Sequence, residues 1–215
     1  MSTPETRVRC LVFCASLRRD SFNGRLARLA ADAVEATGCE ADRAAMADFA
    51  APPYDADAQA RDGFPPGIGA LRERLLANDA FLIASPEYNA SMPGGLKNSI
   101  DWVSRMDPQP FDTRHALLMS ASPSMAGGNR GLWALRMPLE HLGARVYPDM
   151  FSLAQAHEAF DDGGGLADPV LAERFDETIK GFMDLAEAAK HYPCMRREWV
   201  EYLGERADPA IDRVQ

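Results

Sequence analysis

Apolar positions along the chain fall into two alternating spacings. Compact runs free of breakers recur as "VRCLVFC" (8–14), "DAFLIAS" (79–85) and "HALLMSAS" (115–122), the pattern of strands covered on both faces. Between them apolar residues return every three or four positions. Leu26, Leu29, Ala30, Ala33 and Val34 mark one helix, stopped by Gly38. A second helix is predicted at about 67–77, a third through Leu96, Ile100 and Val103, and a fourth through Leu132, Leu135, Leu139 and Leu142. Pro138 inside the fourth predicts a kink. A weaker strand is expected at about 40–46, and "ARVYPDMFSL" (144–153) reads as a fifth strand interrupted by Pro148. Asp168 and Pro169 form an N-cap and first-turn pair. The long helix they open carries Leu171, Phe175, Ile179, Phe182 and Leu185 on one side. "FAAPPYDADAQARDGFPPGIG" reads as a long surface loop.

Strands alternating with helices predict βαβ units and a parallel sheet. Five strands with helices between them fit the fold class α/β, a flavodoxin-like three-layer sandwich whose five-stranded parallel sheet has the order 2-1-3-4-5, with an added C-terminal helical extension expected. One domain is expected over 7–190, and 191–215 forms the extension and a tail. In such sheets a ligand sits beyond the carboxyl ends of the strands, where strand order reverses beside strand one. The loops after strands one, three and four are the places to look for chemistry.

Composition narrows the class. The chain of 215 residues is 47% hydrophobic and carries a net charge of −9, so nucleic acid is not an expected partner. No apolar stretch has the length of a membrane span, and "MSTPETRVRC" lacks a secretory pattern; a cytoplasmic location, off the membrane, is expected. Cys10 and Cys14 share a strand face but lie roughly 13 Å apart, beyond disulfide reach. Cys39 and Cys194 have no zinc spacing, and no metal site is expected.

The first loop, "ASLRRDSFN", crowds hydrogen-bonding groups where a strand hands over to a helix. A helix N-terminus exposes unpaired N–H groups and a partial positive charge, ready for a phosphate. Ser16 and Ser21 add hydroxyls, Asn23 an amide, and Arg18 a guanidinium that grips two oxygens. Ser21 or Asn23 also suits the helix cap, while Arg25 and Arg28 read as solvated helix-face residues. No P-loop and no G-x-G-x-x-G occur. A cysteine-phosphatase loop starting at Cys14 fails, because Asp20 stands where its arginine belongs. The second loop, "SPEYNASMPGGLKNSIDW", offers Tyr88 as a flat face with a polar tip, and Asn89 as both donor and acceptor. Glu87 on its own reads as a solvated carboxylate. In the third, "SASPSMAGGNRG", Ser122 stands at the strand end and Gly127–Gly128 permit close backbone approach.

Together "SLRRDSFN", "SPEYNASMPGGLKNSIDW" and "SASPSMAGGNRGLWALR" resemble the NADPH-dependent FMN reductase family, over about residues 7–150. The resemblance implies bound FMN as cofactor, NADPH as co-substrate, a small-molecule electron acceptor such as a quinone, azo compound, metal oxyanion or free flavin, and a homodimer or homotetramer. By position, Ser16, Arg18, Ser21 and Asn23 would hold the FMN phosphate. Pro86, Glu87, Tyr88 and Asn89 would border the isoalloxazine through backbone groups, with Ser122 near its other edge. No catalytic side chain is implied, since the flavin carries the hydride chemistry. Ala15 departs from the glycine of many relatives and requires a negative φ there. Three alternatives are a flavodoxin-type electron carrier, a regulatory flavoprotein without direct NADPH turnover, and a serine hydrolase. The last lacks a G-x-S-x-G elbow, and none of His115, His141, His157 and His191 suggests a base.

Overall fold

A computed structural model describes residues 7–191; the extension expected at 191–215 lies, from 192 on, outside the described residues. Strand β1 is Arg9–Cys14, β2 Glu40–Ala45, β3 Ala80–Ala84 and β4 His115–Ala121. All are parallel, in the order β2-β1-β3-β4. The fifth position is filled as expected, completing the order 2-1-3-4-5, and the interruption divides it into two short strands: Arg145–Val146 (β5) pairs with His115 and Ala116, and Phe151–Leu153 (β6) with Met119, Ser120 and Ala121. Pro148 lies in the gap and has no N–H to give a ladder.

The helices are α1 (Phe22–Ala36), α2 (Ala56–Asp62), α3 (Pro66–Ala77), α4 (Gly94–Val103), α5 (Asn129–His141) and α6 (Pro169–His191). Helix α5 runs on through Pro138. The loop expected around 49–69 is corrected by α2. Asp55 caps it, accepting from the N–H groups of Asp57 and Ala58 at 2.8 and 3.2 Å, and Gly63 ends it. No residue of α2 is buried, so no apolar period announced it. The segment is fastened to α4: Trp102 donates Nε1–H to the Pro52 carbonyl at 2.8 Å, and the Tyr54 ring meets it edge-on.

Side chains alternate across the pleat, so each central strand feeds two cores. Cys10, Val12, Leu82, Leu117 and Met119 face α1 and α6, where Leu26, Ala30, Phe175, Ile179 and Phe182 meet them. Leu11, Phe13, Phe81, Ile83 and Leu118 face α3, α4 and α5. Each such large side chain contributes about 1.5–3 kcal/mol by leaving water. On α6 the buried stripe continues through Met183 and Ala186, while Leu185 is exposed. Cys10, Cys14 and Cys39 are free thiols.

Candidate functional site

Strands β1 and β3 end level, and β4 runs two residues further, to Ala121. Cys14 lies opposite Ala84, and Ala84 opposite Met119, so the loops after β1, β3 and β4 leave from neighbouring points on one edge. This is the position the topology predicts for a ligand.

In the first loop Ser21 caps α1, its Oγ accepting from the Gly24 N–H at 3.1 Å. The first-turn amides of Phe22 and Asn23 then have no acceptor within the helix. Ser16 Oγ accepts from the Arg18 N–H at 3.2 Å, and the exposed Arg18 side chain donates to the Asp20 carbonyl at 2.9 Å. Ala15 is not among the positive-φ residues and donates its N–H to Ala84 at 2.9 Å, so its methyl group meets the backbone requirement. Asn23 behaves differently from its neighbours. It is buried, its Nδ2 donates to the Ala121 carbonyl at 2.8 Å, and its Oδ1 accepts from the Ala121 N–H at 2.9 Å. Its side chain ties α1 to the end of β4, leaving its backbone amide for a ligand. Burial pushes the Cys14 thiol pKa up, against hydrogen bonds with Ser16 and Ser21 and the charge of Arg28.

In the second loop Pro86 leads into a two-residue hairpin. Tyr88 and Ser91 exchange backbone hydrogen bonds at 2.9 and 3.0 Å, while Asn89 and Ala90 hold φ of 52° and 61°, as a type I′ turn requires. Asparagine adopts that conformation readily; alanine does so at a cost of about 1 kcal/mol. The turn presents the Tyr88 ring to solvent, 52% exposed.

Glu87, read from sequence as solvated, is a half-buried brace. Its carboxylate accepts from Arg130 Nε at 2.9 Å and Nη2 at 2.6 Å, and from the Gly131 N–H at 3.1 Å. Arg130 and Gly131 lie in the first turn of α5, so Glu87 caps that helix from 43 positions away. Burial works against its charge. Arg130 and the Gly131 N–H outweigh that and hold its carboxyl below the ordinary value of 4.5.

Two glycines let α5 close on this turn. A Cβ on Gly131 would come within 3.1 Å of Glu87 and of the Ser91 carbonyl. Gly128 has φ of 87°, and a Cβ there would overlap Ser120 Oγ, a fully buried hydroxyl without a partner among the described residues. Ser122 sits at the strand end as expected, its Oγ donating to Ser124 Oγ at 3.1 Å and accepting from the Ser124 N–H at 3.2 Å.

The nine residues singled out in the sequence thus border one edge, on three adjoining loops. Sequence reasoning missed Arg130 and Gly131 as partners of Glu87; no local spacing signals a pair so far apart. An apolar cavity of about 270 Å³ opens beside Tyr88, walled by Leu17, Met46, Phe49, Gly94 and Asn98. Unused donors on one side and a rigid, flat-faced turn on the other suit a ligand with an anionic end and a planar, hydrogen-bonding end.

The chain is similar to known proteins. The profile of the family described as NADPH-dependent FMN reductase matches residues 8–158. The quinone reductase of Escherichia coli K12 is 39% identical over 140 residues, spanning 65% of this chain and 73% of its own. An NAD(P)H-dependent FMN reductase of Pseudomonas aeruginosa is 35% identical over 175 residues, 80% of this chain and 92% of its own. Among solved structures, the flavoenzyme NAD(P)H:acceptor oxidoreductase FerB of Paracoccus denitrificans superposes with a TM-score of 0.72 at 26% identity, covering 84% of this chain and 98% of that one.

Proposed function

The chain belongs to the NADPH-dependent FMN reductase family and is an oxidoreductase; on that premise we propose that it binds FMN across the β1, β3 and β4 loops and passes hydride from NADPH to a small quinone-type acceptor. The observation that carries this reading is the first loop, where Phe22 and Asn23 amides and the exposed Arg18 stand ready for a phosphate at the switch point of the sheet. The quinone preference is supported by the names of the relatives from Escherichia coli and from plants.

Bound FMN supplies the hydride-accepting and hydride-donating chemistry. The chain's own residues bind and position. Ser16, Arg18, Ser21 and the Asn23 amide hold the phosphate, and neutralising its charge is the main task of Arg18. Pro86, Glu87, Tyr88 and Asn89 present backbone groups along the isoalloxazine edge, with Ser122 opposite. Glu87 acts through its brace, fixing the Tyr88 turn against α5 so that this edge needs no reordering when the ligand arrives. The apolar cavity beside Tyr88 would leave room for a planar donor or acceptor, and its apolar walls, Leu17, Met46 and Phe49 among them, favour planar acceptors of varied substitution.

A second copy of the chain is part of this reading, as homodimer or homotetramer. Trp133 and Met137, one turn apart on α5, are 56% and 74% exposed, an apolar surface suited to self-association. A cytoplasmic location fits the three free thiols; no helix among the described residues is long and apolar enough to cross a membrane.

The test is the visible spectrum of the purified protein before and after anaerobic NADPH. A flavin spectrum that bleaches on mixing supports the proposal. A protein that stays colourless after incubation with excess FMN overturns it. Bleaching too slow to sustain turnover identifies an electron carrier instead.

A further inference from the structure

The face of the β1–α1 loop turned away from Tyr88 opens on a second cavity, of about 400 Å³, between α1 and the carboxyl end of β2. Its apolar lining is made of small side chains, Val12, Ala27, Ala31 and Ala44. Small apolar side chains leave room for an aromatic base to lie against them. Four guanidinium groups stand around the cavity, those of Arg18, Arg19, Arg28 and Arg43. They are not equivalent. Arg43 is answered by Asp32 and Glu35 at 2.8 and 2.9 Å, and Arg18 belongs to the phosphate loop. Arg19 and Arg28 meet no hydrogen-bond or ion-pair partner among the described residues. In a chain of net charge −9, two uncompensated cations at the rim of one cavity make a local field that draws an anion.

The two cavities share a wall. Leu17, 74% exposed, lines both the chamber beside Tyr88 and the one beneath Arg19 and Arg28. An apolar chamber, Leu17, and a chamber of small apolar side chains with guanidinium groups around it follow one another along the loop. A phosphorylated nicotinamide dinucleotide has the same sequence of parts: a flat ring, a pyrophosphate link, and an adenosine bearing a third phosphate.

We infer that the cavity between α1 and β2 takes the adenosine 2′-phosphate end of NADPH, and that Arg19 and Arg28 recognise the 2′-phosphate. The inference rests on the proposed reading of NADPH as hydride donor, and it assigns these two arginines as the determinants of NADPH over NADH. Arg28, read from sequence as a solvated residue of the helix face, thereby acquires a ligand. Guanidinium–phosphate pairs are charge-assisted and bidentate, but both arginines are exposed, which weakens each pair through solvent screening.

The test uses the FMN-loaded protein and the variant Arg19→Ala/Arg28→Ala, whose exposed positions leave the fold intact. Adenosine 2′,5′-bisphosphate and AMP serve as probes by calorimetry. In the parent protein the bisphosphate should bind about tenfold tighter than AMP, and the double variant should lose that difference. In turnover, the ratio of kcat/KM for NADPH to that for NADH should fall by about the same factor, and its dependence on salt should flatten. FMN affinity, measured by fluorescence titration, separates this cavity from the phosphate loop. A parent protein that does not distinguish the two nucleotides, a variant in which NADPH and NADH turnover fall equally, or a variant that loses FMN instead would each overturn the inference. If neither coenzyme is oxidised at all, the proposed function fails; the bisphosphate titration then decides the cavity alone, tight binding lost in the variant supporting it and absent binding overturning it.

Discussion

The loop after β1 and the pair of loops after β3 and β4 face one another across the same crevice, yet they are finished to different degrees. On the β3–β4 side several polar groups already have partners. Glu87 holds Arg130 and Gly131, Tyr88 and Ser91 hold each other, and Ser122 holds Ser124. On the β1 side the loop is anchored at its two ends, by the Ala15 N–H and the Asn23 side chain, and its first-turn amides, Arg18 and Arg19 are left facing outward. A wall that must stay in place is satisfied internally, whereas a seat for an anion keeps its donors unspent. Removing a group from the first kind should therefore cost stability, and removing one from the second should cost ligand.

Asn23→Ala is expected to have the largest effect, because Asn23 is the satisfied side-chain anchor of the otherwise open loop. The substitution strands the N–H and the carbonyl of Ala121 in a buried setting, at about 4 kcal/mol for the two. Thermal denaturation should show a melting temperature lowered by about 10 °C. Asn23→Asp keeps the acceptor and should recover part of the loss. A melting temperature unchanged in the alanine variant would place Asn23 on the ligand side of the comparison. Next in size is Gly128→Ala, at about 3 kcal/mol, since it forces both a left-handed alanine and an overlap with Ser120 Oγ. The companion change Ser120→Gly should relieve the overlap but not the backbone strain, so the double variant should melt between the two.

How much of this was legible in the sequence follows from the same distinction. The open loop announced itself, because a strand end, a serine cap and a run of donors are adjacent in the chain. Strand order was legible too, since buried parallel strands such as "HALLMSAS" need unbroken apolar runs. The brace was not. Glu87 carries no local sign that its partners begin at Arg130, and an isolated carboxylate is ordinarily solvated. Helix α2 escaped for a related reason: it buries nothing, so only its caps, Asp55 and Gly63, marked it. Asn23 was legible as a polar residue at a helix start, but that Ser21 takes the cap and Asn23 reaches β4 depends on the crossing of α1 over the sheet.

Arg18→Ala tests the unspent side. The Arg18 side chain has one hydrogen bond to its own loop and an exposed position, so stability should change by less than about 0.5 kcal/mol. FMN affinity should weaken roughly ten- to a hundredfold, because a charge-assisted hydrogen bond is worth about 1.5–3 kcal/mol. Flavin-fluorescence titration and melting of the unliganded protein, run side by side, read the two effects separately. An unliganded variant that melts well below its parent, with FMN affinity retained, would erase the contrast between the two regions.

The smallest effect, and the one that isolates charge from shape, belongs to Glu87. Its carboxyl titrates below the ordinary value of 4.5 in the folded protein, since Arg130 and the Gly131 N–H outweigh the cost of burial. A depressed folded value means that the brace contributes its stability above that ordinary value, and loses it as pH falls through the folded one. Glu87→Gln keeps the length of the side chain and an acceptor for Gly131 but gives up the ion pair with Arg130. At pH 7 the variant should be less stable by about 1 kcal/mol, a modest figure because Arg130 is 63% exposed and partly screened. As the pH is lowered below 4.5 the parent carboxyl takes up its proton, and the two melting temperatures should converge. If the gap instead persists unchanged into acid, the charge contributes nothing, and the turn is held against α5 by packing around Gly131 alone.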